Sequence, residues 1–255
     1  MKIPASYTHK YHQNPRLSAN QVADYLSANA TNRRRILSDA KYPPTMILVR
    51  YEDARTAVAT HLAKARNSKG ILVDVLNELA HKLKQAGITN WKKTNHNLCI
   101  EAIEAFQSAE AKMGIGTTKF RAPNRSNSRL KISGVNVSVS LDLMTETTDA
   151  GGNKVLGGTV LVFSKSGGPD RNIEARCQAI AVLAQQVVEE FLGKNEVCDP
   201  RLCMAIDVFG GRVYRAGARQ KRLLKTITNS CEEVATLWPS IKPPAKYNGP
   251  PIPKS

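Results

Sequence analysis

The sequence predicts an α/β fold, and three observations support that prediction. Residues 135–143 alternate Val or Leu with Asn, Ser and Asp, and a period of two is typical of a strand with one buried face. Residues 159–163 are apolar and β-branched, as a central strand often is, and a Gly-rich turn separates the two runs. Stretches with apolar residues at helical spacing precede and follow this pair, so we expect helices and strands packed in layers.

The composition favours a folded protein with a polyanionic partner. The 255 residues suffice for one large domain, or for a core domain with a small appendage. The formal net charge of +16 favours nucleic acid as the partner. An anionic membrane surface is the alternative, and the lack of a long basic amphipathic helix argues against it.

The cysteine, histidine and apolar patterns argue against several other classes of protein. The five cysteines include no C-x-x-C pair and the five histidines have no ligand spacing, which argues against a disulfide framework and a structural zinc site. No apolar stretch is as long as a membrane span, and the N-terminus lacks the apolar core of a signal peptide. The sequence therefore predicts a reduced, cytoplasmic protein without membrane attachment.

The first part of the chain is expected to be mostly helical. Residues 1–16 are polar and are interpreted as a flexible arm, followed by a helical region over residues 17–97. Two short helices are expected within residues 17–37, the first of them capped by Ser18 or Asn20. The remaining predictions for this region are a strand at 46–51, helices at 52–66 and 71–86, and a polar, basic connection at 91–97.

A core region is expected over residues 98–238, followed by a Pro-rich, extended tail over residues 239–255. Apolar stripes indicate the helices of this region, and a Gly-Gly turn indicates a hairpin near its end. Besides the central strand pair, the predicted elements are helices at 98–113, 170–192 and 216–238, and strands at 202–208 and 212–215.

Asp142 and Lys165 are the first candidate site residues. Asp142 lies near the end of the first predicted strand, on the face of the Asn and Ser residues, and Lys165 follows the second strand. A carboxylate and a lysine at the ends of neighbouring strands are half of a metal-dependent phosphodiesterase site. The alternative is that both are ordinary charged residues at strand ends.

Three basic stretches, at residues 33–35, 119–131 and 215–225, supply the candidate nucleic-acid contacts. The stretch over residues 119–131 contains no acidic residue, which suits phosphate contacts as well as a solvated loop. The helix pair over residues 17–37 ends in a basic run, and we interpret it as a helical cap, with a helix-turn-helix as the alternative. The candidates are Arg33, Arg34, Arg35, Lys119, Arg121, Arg125, Arg129, Lys131, Arg219, Lys221 and Arg222.

From residue 98 onwards, the predicted order of elements and the positions of Asp142 and Lys165 resemble the PD-(D/E)XK nuclease superfamily. The resemblance implies a restriction-endonuclease-like αβββαβ core with a mixed central sheet. It also implies that Asp142 holds Mg²⁺ or Mn²⁺ and that Lys165 orients water or stabilises charge on the phosphate. In that family an acidic residue stands two positions before the lysine, and here that residue is Phe163.

Two explanations of Phe163 remain open. The missing carboxylate could come from Glu174, at the start of the following helix, as a metal ligand and third catalytic residue, and Glu101 could add a further ligand. Alternatively, the site is inactive and the fold only binds nucleic acid. The chain also resembles a widespread family of uncharacterised bacterial proteins, through the segments LSANQVADYL, ISGV and FSK, and that resemblance implies no activity.

These observations predict a nucleic-acid-binding protein with DNA favoured over RNA. A divalent-metal-dependent deoxyribonuclease activity is the further expectation from the resemblance. The alternatives are a catalytically inactive binding or scaffold subunit of a bacterial assembly, and a transcriptional regulator that uses residues 17–37. Assembly into a larger complex and homo-oligomerisation both remain open.

Overall fold

The protein has a mixed α/β structure with two β-sheets. The computed structural model describes residues 7–46, 48–64, 70–123, 127–164, 171–193, 196–217 and 220–252. The helices are α1 (Ala19–Ser27), α2 (Ala30–Lys41), α3 (Glu52–Lys64), α4 (Ile71–Leu83), α5 (Asn90–Ala109), α6 (Arg171–Glu190) and α7 (Gln220–Leu237). The strands are β1 (Arg16–Ser18), β2 (Phe120–Arg121), β3 (Asn127–Ile132), β4 (Val135–Ser140), β5 (Leu143–Thr148), β6 (Lys154–Val162), β7 (Glu196–Cys198), β8 (Met204–Asp207) and β9 (Arg212–Arg215).

The larger sheet has six strands and mixed direction. Its order is β2-β5-β6-β8-β9, and β7 pairs with the beginning of β6. β6 runs antiparallel to β5 and parallel to β8, and α6 makes the crossover that a parallel connection needs. A second sheet has three strands in the order β1-β4-β3, and we call it the outer sheet. The prediction of an α/β fold is therefore confirmed.

Helix α6 lies between the two sheets. It contacts β6, β8 and β9 of the larger sheet as well as β3 and β4 of the outer sheet. Its residues from Cys177 to Gln185 are all buried except Gln178. A helix that is apolar on almost every side belongs in a core, and here two sheets enclose it.

The larger sheet is covered on both faces. Helices α3, α4 and α5 lie on the face opposite α6, where Phe106 packs in one apolar cluster with Leu143 and Ile206. Gly157 in β6 lies directly against the connection that leads into β8, because a Cβ atom there would overlap the carbonyl carbon and oxygen of Leu202. Glycine is required at this position because the neighbouring backbone leaves no room for a side chain.

The outer sheet is covered on one face only. Its inner residues pack into the cluster that also contains α1, α6 and α7; they are Leu17, Leu130, Val135, Val137 and Val139. The alternate residues of β4 point outward, with Asn136 and Ser140 exposed and Ser138 half-buried. The period of two in this part of the sequence therefore reflects one covered and one open face, as predicted.

The expected strand over residues 135–143 is in fact two strands in different sheets. β4 ends at Ser140, and β5 starts at Leu143 in the larger sheet. Asp142 lies in the short link, where its amide donates to the Thr159 carbonyl of β6 at 2.9 Å. Asp142 therefore does not continue the outward row of β4, because the chain changes sheets immediately before it.

Two further elements differ from the expectations in the first part of the chain. The expected strand over residues 46–51 is wrong, because its described residues form no strand and Met46 and Leu48 are exposed. The expected connection over residues 91–97 is part of α5. Thr89 caps this helix by accepting from the Lys92 amide at 3.3 Å, and the polar first turns gave no apolar stripe to predict it.

Residues 7–16 and the C-terminal tail hydrogen-bond to each other. The amides of Thr8 and His9 both donate to the Asn248 carbonyl at 2.9 Å. The Trp238 indole donates to the carbonyls of His12 and Gln13, at 3.2 and 3.0 Å. The described part of the expected flexible arm is thus held by backbone contacts.

Lys41 joins the end of α2 to the same tail. Its ammonium is buried and donates to the carbonyls of Trp238 and Ile241, at 2.7 and 3.1 Å. Burial lowers the pKa of Lys41 from its usual value. The carbonyl oxygens compensate for the loss of water around the charge, which is why a lysine is tolerated there.

Candidate functional site

The Asp142 carboxylate lies where the two sheets meet, and both of its oxygens accept hydrogen bonds. Arg55 of α3 donates from Nη1 to Oδ1 at 2.8 Å and to Oδ2 at 2.7 Å. The Leu161 amide of β6 also donates to Oδ2, at 2.7 Å, and the Asp142 side chain is only 9% exposed. Asp142 therefore continues the hydrogen bonding between β5 and β6 beyond the first residue of β5. Its carboxylate also pairs with Arg55, a cation on helix α3.

Aromatic residues hold Arg55 beside Asp142. The guanidinium carbon lies 5.0 Å from the centre of the Phe163 ring, which is a cation–π distance. Phe163 in turn stacks on Tyr51, with ring centroids 5.4 Å apart. Phe163 is the position at which the resemblance implies an acidic residue, and it packs against the arginine that pairs with Asp142.

Tyr51 has an unusual backbone conformation at this corner of the protein. Its φ angle is 63°, in the left-handed region that bulky residues rarely adopt. The buried side chain of Asn95 accepts from the Tyr51 amide at 3.2 Å, and the Tyr51 carbonyl accepts from the Arg55 amide at 2.8 Å. The turn therefore fixes the start of α3, and with it the position of Arg55.

The pKa of Asp142 is raised above its usual value. Burial is the largest cause, and it outweighs the Arg55 charge and the hydrogen bonds from Arg55 and Leu161, which all lower the pKa. Desolvation thus offsets much of the attraction within this ion pair. Removing Arg55 would leave a buried carboxylate without a cation, so the arginine is needed wherever Asp142 is ionised.

The other expected metal ligands, Glu174 and Glu101, are exposed on two different helices. Glu174 is exposed on α6 and accepts from the Gln178 side chain at 3.0 Å, and Glu101 is exposed on α5, beyond the opposite face of the larger sheet. Lys165 lies outside the described residues. In the part of the chain that is described, no three His, Cys, Asp or Glu side chains come close enough to hold a metal ion.

Arg55 competes with a divalent cation for the Asp142 carboxylate. Mg²⁺ and Mn²⁺ are held by carboxylate oxygens, and Arg55 places a positive charge against both oxygens of Asp142. Phe163 offers no ligand in place of the acid that the resemblance implies. Among the described residues, Asp142 is thus paired with Arg55.

Asp207 is a buried carboxylate that the sequence analysis missed. It ends β8, is 4% exposed, and accepts from the Gly210 amide at 3.1 Å. Asp207 follows Ile206, which packs in the apolar cluster of α3, α4 and α5, so strand alternation places Asp207 on the α6 side of the sheet. Burial, and then the Asp207 charge, raise the pKa of Cys177 on α6 to about 12. An Asp followed three residues later by Gly after an apolar strand is a turn signal that could have identified it.

The predicted nucleic-acid contacts divide into paired and exposed cations. Arg33 pairs with Glu233 at 3.1 Å, and Arg121 pairs with Glu146 at 2.9 Å. Arg125 and Arg219 lie outside the described residues. The exposed candidates are Arg34, Arg35, Lys119, Arg129, Lys131, Lys221 and Arg222.

The outer sheet brings two of these exposed cations together with a third that the sequence analysis missed. Arg16, Asn136 and Lys131 form one row across the sheet, and Arg129 lies in the next row. Paired residues in a sheet point to the same side, so all three cations lie on its open face. The sequences of the three strands, RLS, NSRLKI and VNVSVS, contain no acidic residue. Arg16 was missed because its strand is too short to show a period.

A cavity of about 250 Å³ adjoins this open face. It is lined by Tyr11, His12, Gln13, Asn14, Arg16, Arg129, Asn136 and Ser138. Burial, together with the charges of Arg16 and Lys10, lowers the pKa of His12 from its usual value. The cavity therefore combines an aromatic ring, amide groups and a positive local potential.

No protein-family model matches the chain, and no curated protein is significantly similar to it. Among the described helices, none is both long and apolar enough to cross a membrane. The geometry given above is therefore the basis for assigning a function.

Proposed function

We propose that the protein binds nucleic acid through exposed basic surface and that its nuclease-like core serves as a scaffold. The observation that carries this proposal is the open face of the outer sheet, where Arg16, Arg129 and Lys131 are exposed on strands without an acidic residue. Exposed cations bind phosphates by releasing counterions, and the net charge of +16 adds a long-range attraction. DNA remains the favoured form over RNA.

The order of the elements supports a core related to restriction endonucleases. If the β3–β4 hairpin and the short strand β7 are both regarded as insertions, the chain from residue 90 runs α5, β2, β5, β6, α6 and β8. With those two omissions the order is compatible with the αβββαβ core that the resemblance implies, with the three strands as sheet neighbours and β8 added beyond them. Asp142 precedes the second of these strands.

The engagement of Asp142 by Arg55 supports the inactive alternative over the nuclease. Metal-dependent hydrolysis of a phosphodiester needs a carboxylate that is free to hold a cation beside the scissile phosphate. Both Asp142 oxygens accept from Arg55, and Phe163 packs under that arginine. We therefore assign Asp142 a structural role, and binding without cleavage is the proposed activity.

Binding is tested by titrating labelled single-stranded and duplex DNA with the protein at several salt concentrations. We expect micromolar or tighter binding at low salt, and a linear decrease of the logarithm of the affinity with the logarithm of the salt concentration. Absence of binding to both forms at low salt would refute the proposed function.

Cleavage is tested on single-stranded and duplex DNA and on RNA, with Mg²⁺, with Mn²⁺ and with EDTA. We expect no metal-dependent cleavage that differs between the wild type and Asp142→Asn. Asp74→Asn, at an exposed aspartate of α4, is the matched control. Cleavage that disappears in Asp142→Asn and persists in Asp74→Asn would instead support the enzyme and would show that Arg55 gives way to a metal.

A further inference from the structure

We infer that the open face of the outer sheet, together with the cavity beside it, is a binding site for single-stranded nucleic acid. In this site Arg16, Arg129 and Lys131 contact phosphates, and a base enters the cavity beside Tyr11. The inference rests on the proposed function and extends it by naming the surface and the form of nucleic acid that it binds.

The spacing of the cations suits an extended phosphate backbone. Arg129 and Lys131 are two residues apart on β3, so their Cα atoms are about 7 Å apart along the strand. Arg16 lies two strands away, about 10 Å across the sheet. The face between them carries the small polar residues Asn136 and Ser138. A single strand can therefore lie on this face with several phosphates close to a cation.

Nearby acids favour one side of the face. Glu189 and Glu190 of α6 line a separate cavity beside Lys131, beyond the β3 edge. The cavity at the other side is lined by Arg16 and Arg129 and contains no acidic residue. The electrostatic potential is therefore most positive toward the β1 edge, and a polyanion is directed to the cavity there.

The cavity has the groups that bind an unstacked nucleotide. Tyr11 stacks on the buried Tyr42 with ring centroids 5.8 Å apart, which holds the Tyr11 ring at the wall of the cavity. Gln13 and Asn14 supply amide donors and acceptors that can bond to base edges. Because the Trp238 indole donates to the carbonyls next to these residues, the wall is fixed before any ligand arrives. A fixed wall lowers the entropy lost on binding.

This geometry favours a single strand over a duplex. A base in a duplex is stacked and paired, and it would have to be flipped out to enter a cavity. Bases of a single strand are free to stack on an aromatic side chain, which contributes to affinity for any sequence. A three-stranded face also differs from the helix or two-stranded ribbon that fits a major groove.

The experiment compares an ionic and an aromatic variant by fluorescence anisotropy. The probes are a labelled oligothymidine, long enough to cover a site of about 4–16 nucleotides, and a duplex of the same length. The ionic variant is Arg129→Gln with Lys131→Gln, and its control with the same charge change is Lys92→Gln with Lys93→Gln, on exposed residues of α5. The aromatic variant is Tyr11→Leu, and its control is Tyr11→Phe.

The two variants should change different observables. For Arg129→Gln with Lys131→Gln, we expect single-strand affinity to fall at least tenfold at low salt and the salt slope to decrease by about 1.4, twice the value per phosphate contact. For Tyr11→Leu, we expect an affinity loss of about tenfold with the salt slope unchanged, because stacking releases no counterions. The two control variants should remain within about threefold of the wild type. Thermal unfolding of Tyr11→Leu establishes that the variant is folded.

Three results would overturn the inference. They are equal losses in the two double variants, tighter binding of the duplex than of the single strand, and unchanged affinity in folded Tyr11→Leu. Each of these leaves the proposed function intact as long as the wild type binds nucleic acid in a salt-dependent way. Failure of the wild type to bind either probe at low salt would refute the proposed function itself.

Discussion

The two sheets of this protein differ in whether their charged side chains are buried with partners or exposed on an open face. The larger sheet is covered on both faces, and its buried charges have partners, as Asp142 does in Arg55 and the Leu161 amide. The outer sheet is covered on one face, and its open face carries Arg129 and Lys131 on strands with no acidic residue. A charge that the fold covers must be satisfied inside the chain, whereas a charge on an open face is available to a ligand. Charges on the larger sheet thus contribute to the fold, whereas those on the open face of the outer sheet are exposed to solvent.

The largest effect on stability is expected at Gly157 in the covered sheet. A Cβ atom there would overlap the Leu202 backbone, which cannot move without displacing the start of β8. We therefore expect Gly157→Ala to lower the free energy of unfolding by about 3 kcal/mol or more, at the upper end of overpacking effects. Urea denaturation followed by circular dichroism measures the change.

Gly158→Ala is the matched control for that substitution. A Cβ atom at Gly158 would lie 3.0 Å from side-chain carbons of Leu141 and Val188, which can rotate away. We expect a loss of about 1 kcal/mol. Similar losses at both positions would show that β6 packs less closely against Leu202 than the structure indicates.

The next largest effect is expected for the ion pair at the start of β5. Arg55→Ala should destabilise the protein by about 2 kcal/mol at neutral pH, because it leaves a buried carboxylate without its cation. The effect is smaller than for a fully buried pair, since the Arg55 side chain is 36% exposed. In the background of Asp142→Asn the same substitution should have less than half that effect. If Arg55→Ala lowers the free energy of unfolding equally in that background, Arg55 stabilises the protein through its packing on Phe163.

The pH dependence of the Arg55→Ala effect follows from the raised pKa of Asp142. Burial already raises this pKa in the wild type, and removal of the arginine should raise it further. A carboxyl group whose pKa is raised by folding favours the folded state as the pH falls through that pKa. The destabilisation by Arg55→Ala should therefore shrink between pH 7 and pH 4, as measured by urea denaturation. Destabilisation that grows as the pH falls would contradict this account.

A smaller pH effect is expected at the edge of the outer sheet. Folding lowers the pKa of His12, so the unfolded chain takes up the proton first and the histidine contributes to a loss of stability as the pH falls below about 6.5. His12→Gln should flatten this part of the stability profile by a fraction of a kcal/mol, because the site is partly solvated. A proton on His12 adds a cation to the cavity, so we expect single-strand affinity to rise when the pH falls further, through the lowered pKa of the folded protein. Loss of affinity on that further fall in pH would show that His12 does not face the phosphates.

The smallest effect on stability is expected on the open face. Arg129→Gln with Lys131→Gln should change the free energy of unfolding by less than about 0.5 kcal/mol, because both side chains are exposed. Circular dichroism and urea denaturation test this directly. A decrease of the free energy of unfolding by more than about 1 kcal/mol would mean that these cations stabilise the outer sheet. The two sheets would then not differ in how their charges contribute to stability.

Local signals in the sequence predicted much of the fold. The Ser18 cap and the apolar stripe after it identified α1, and the apolar run ending at Leu192 identified α6. The division of residues 135–143 between two sheets was not predictable, because the alternation of Val and Leu continues through the turn. The start of α5 at Asn90 was not predicted, because its first turns are polar. In these turns Asn95 is buried and Trp91 half-buried, and there is no stripe of apolar residues.

The candidate site was less predictable because it depends on contacts between distant parts of the chain. Asp142 was recognised as unusual, yet its partner Arg55 lies 87 residues earlier, on a helix with no motif of its own. Phe163 was recognised as a departure from the nuclease pattern, and its packing under Arg55 gives that departure a physical reason. Arg16 and Tyr11 lay in a segment that composition assigns to a flexible arm, and contacts with distant residues, among them Trp238, Asn248 and strand β4, order that segment.

The contact between Lys41 and the tail has a consequence for how the chain is made. The carbonyl that accepts from Lys41 at 2.7 Å belongs to Trp238, 197 residues later. A ribosome must therefore have synthesised Trp238 before this ammonium finds its oxygens, so Lys41 docks only after the tail has been made. A product that stops short of Trp238 would leave the Lys41 ammonium without this acceptor, and proteases would meet a less stable end of α2.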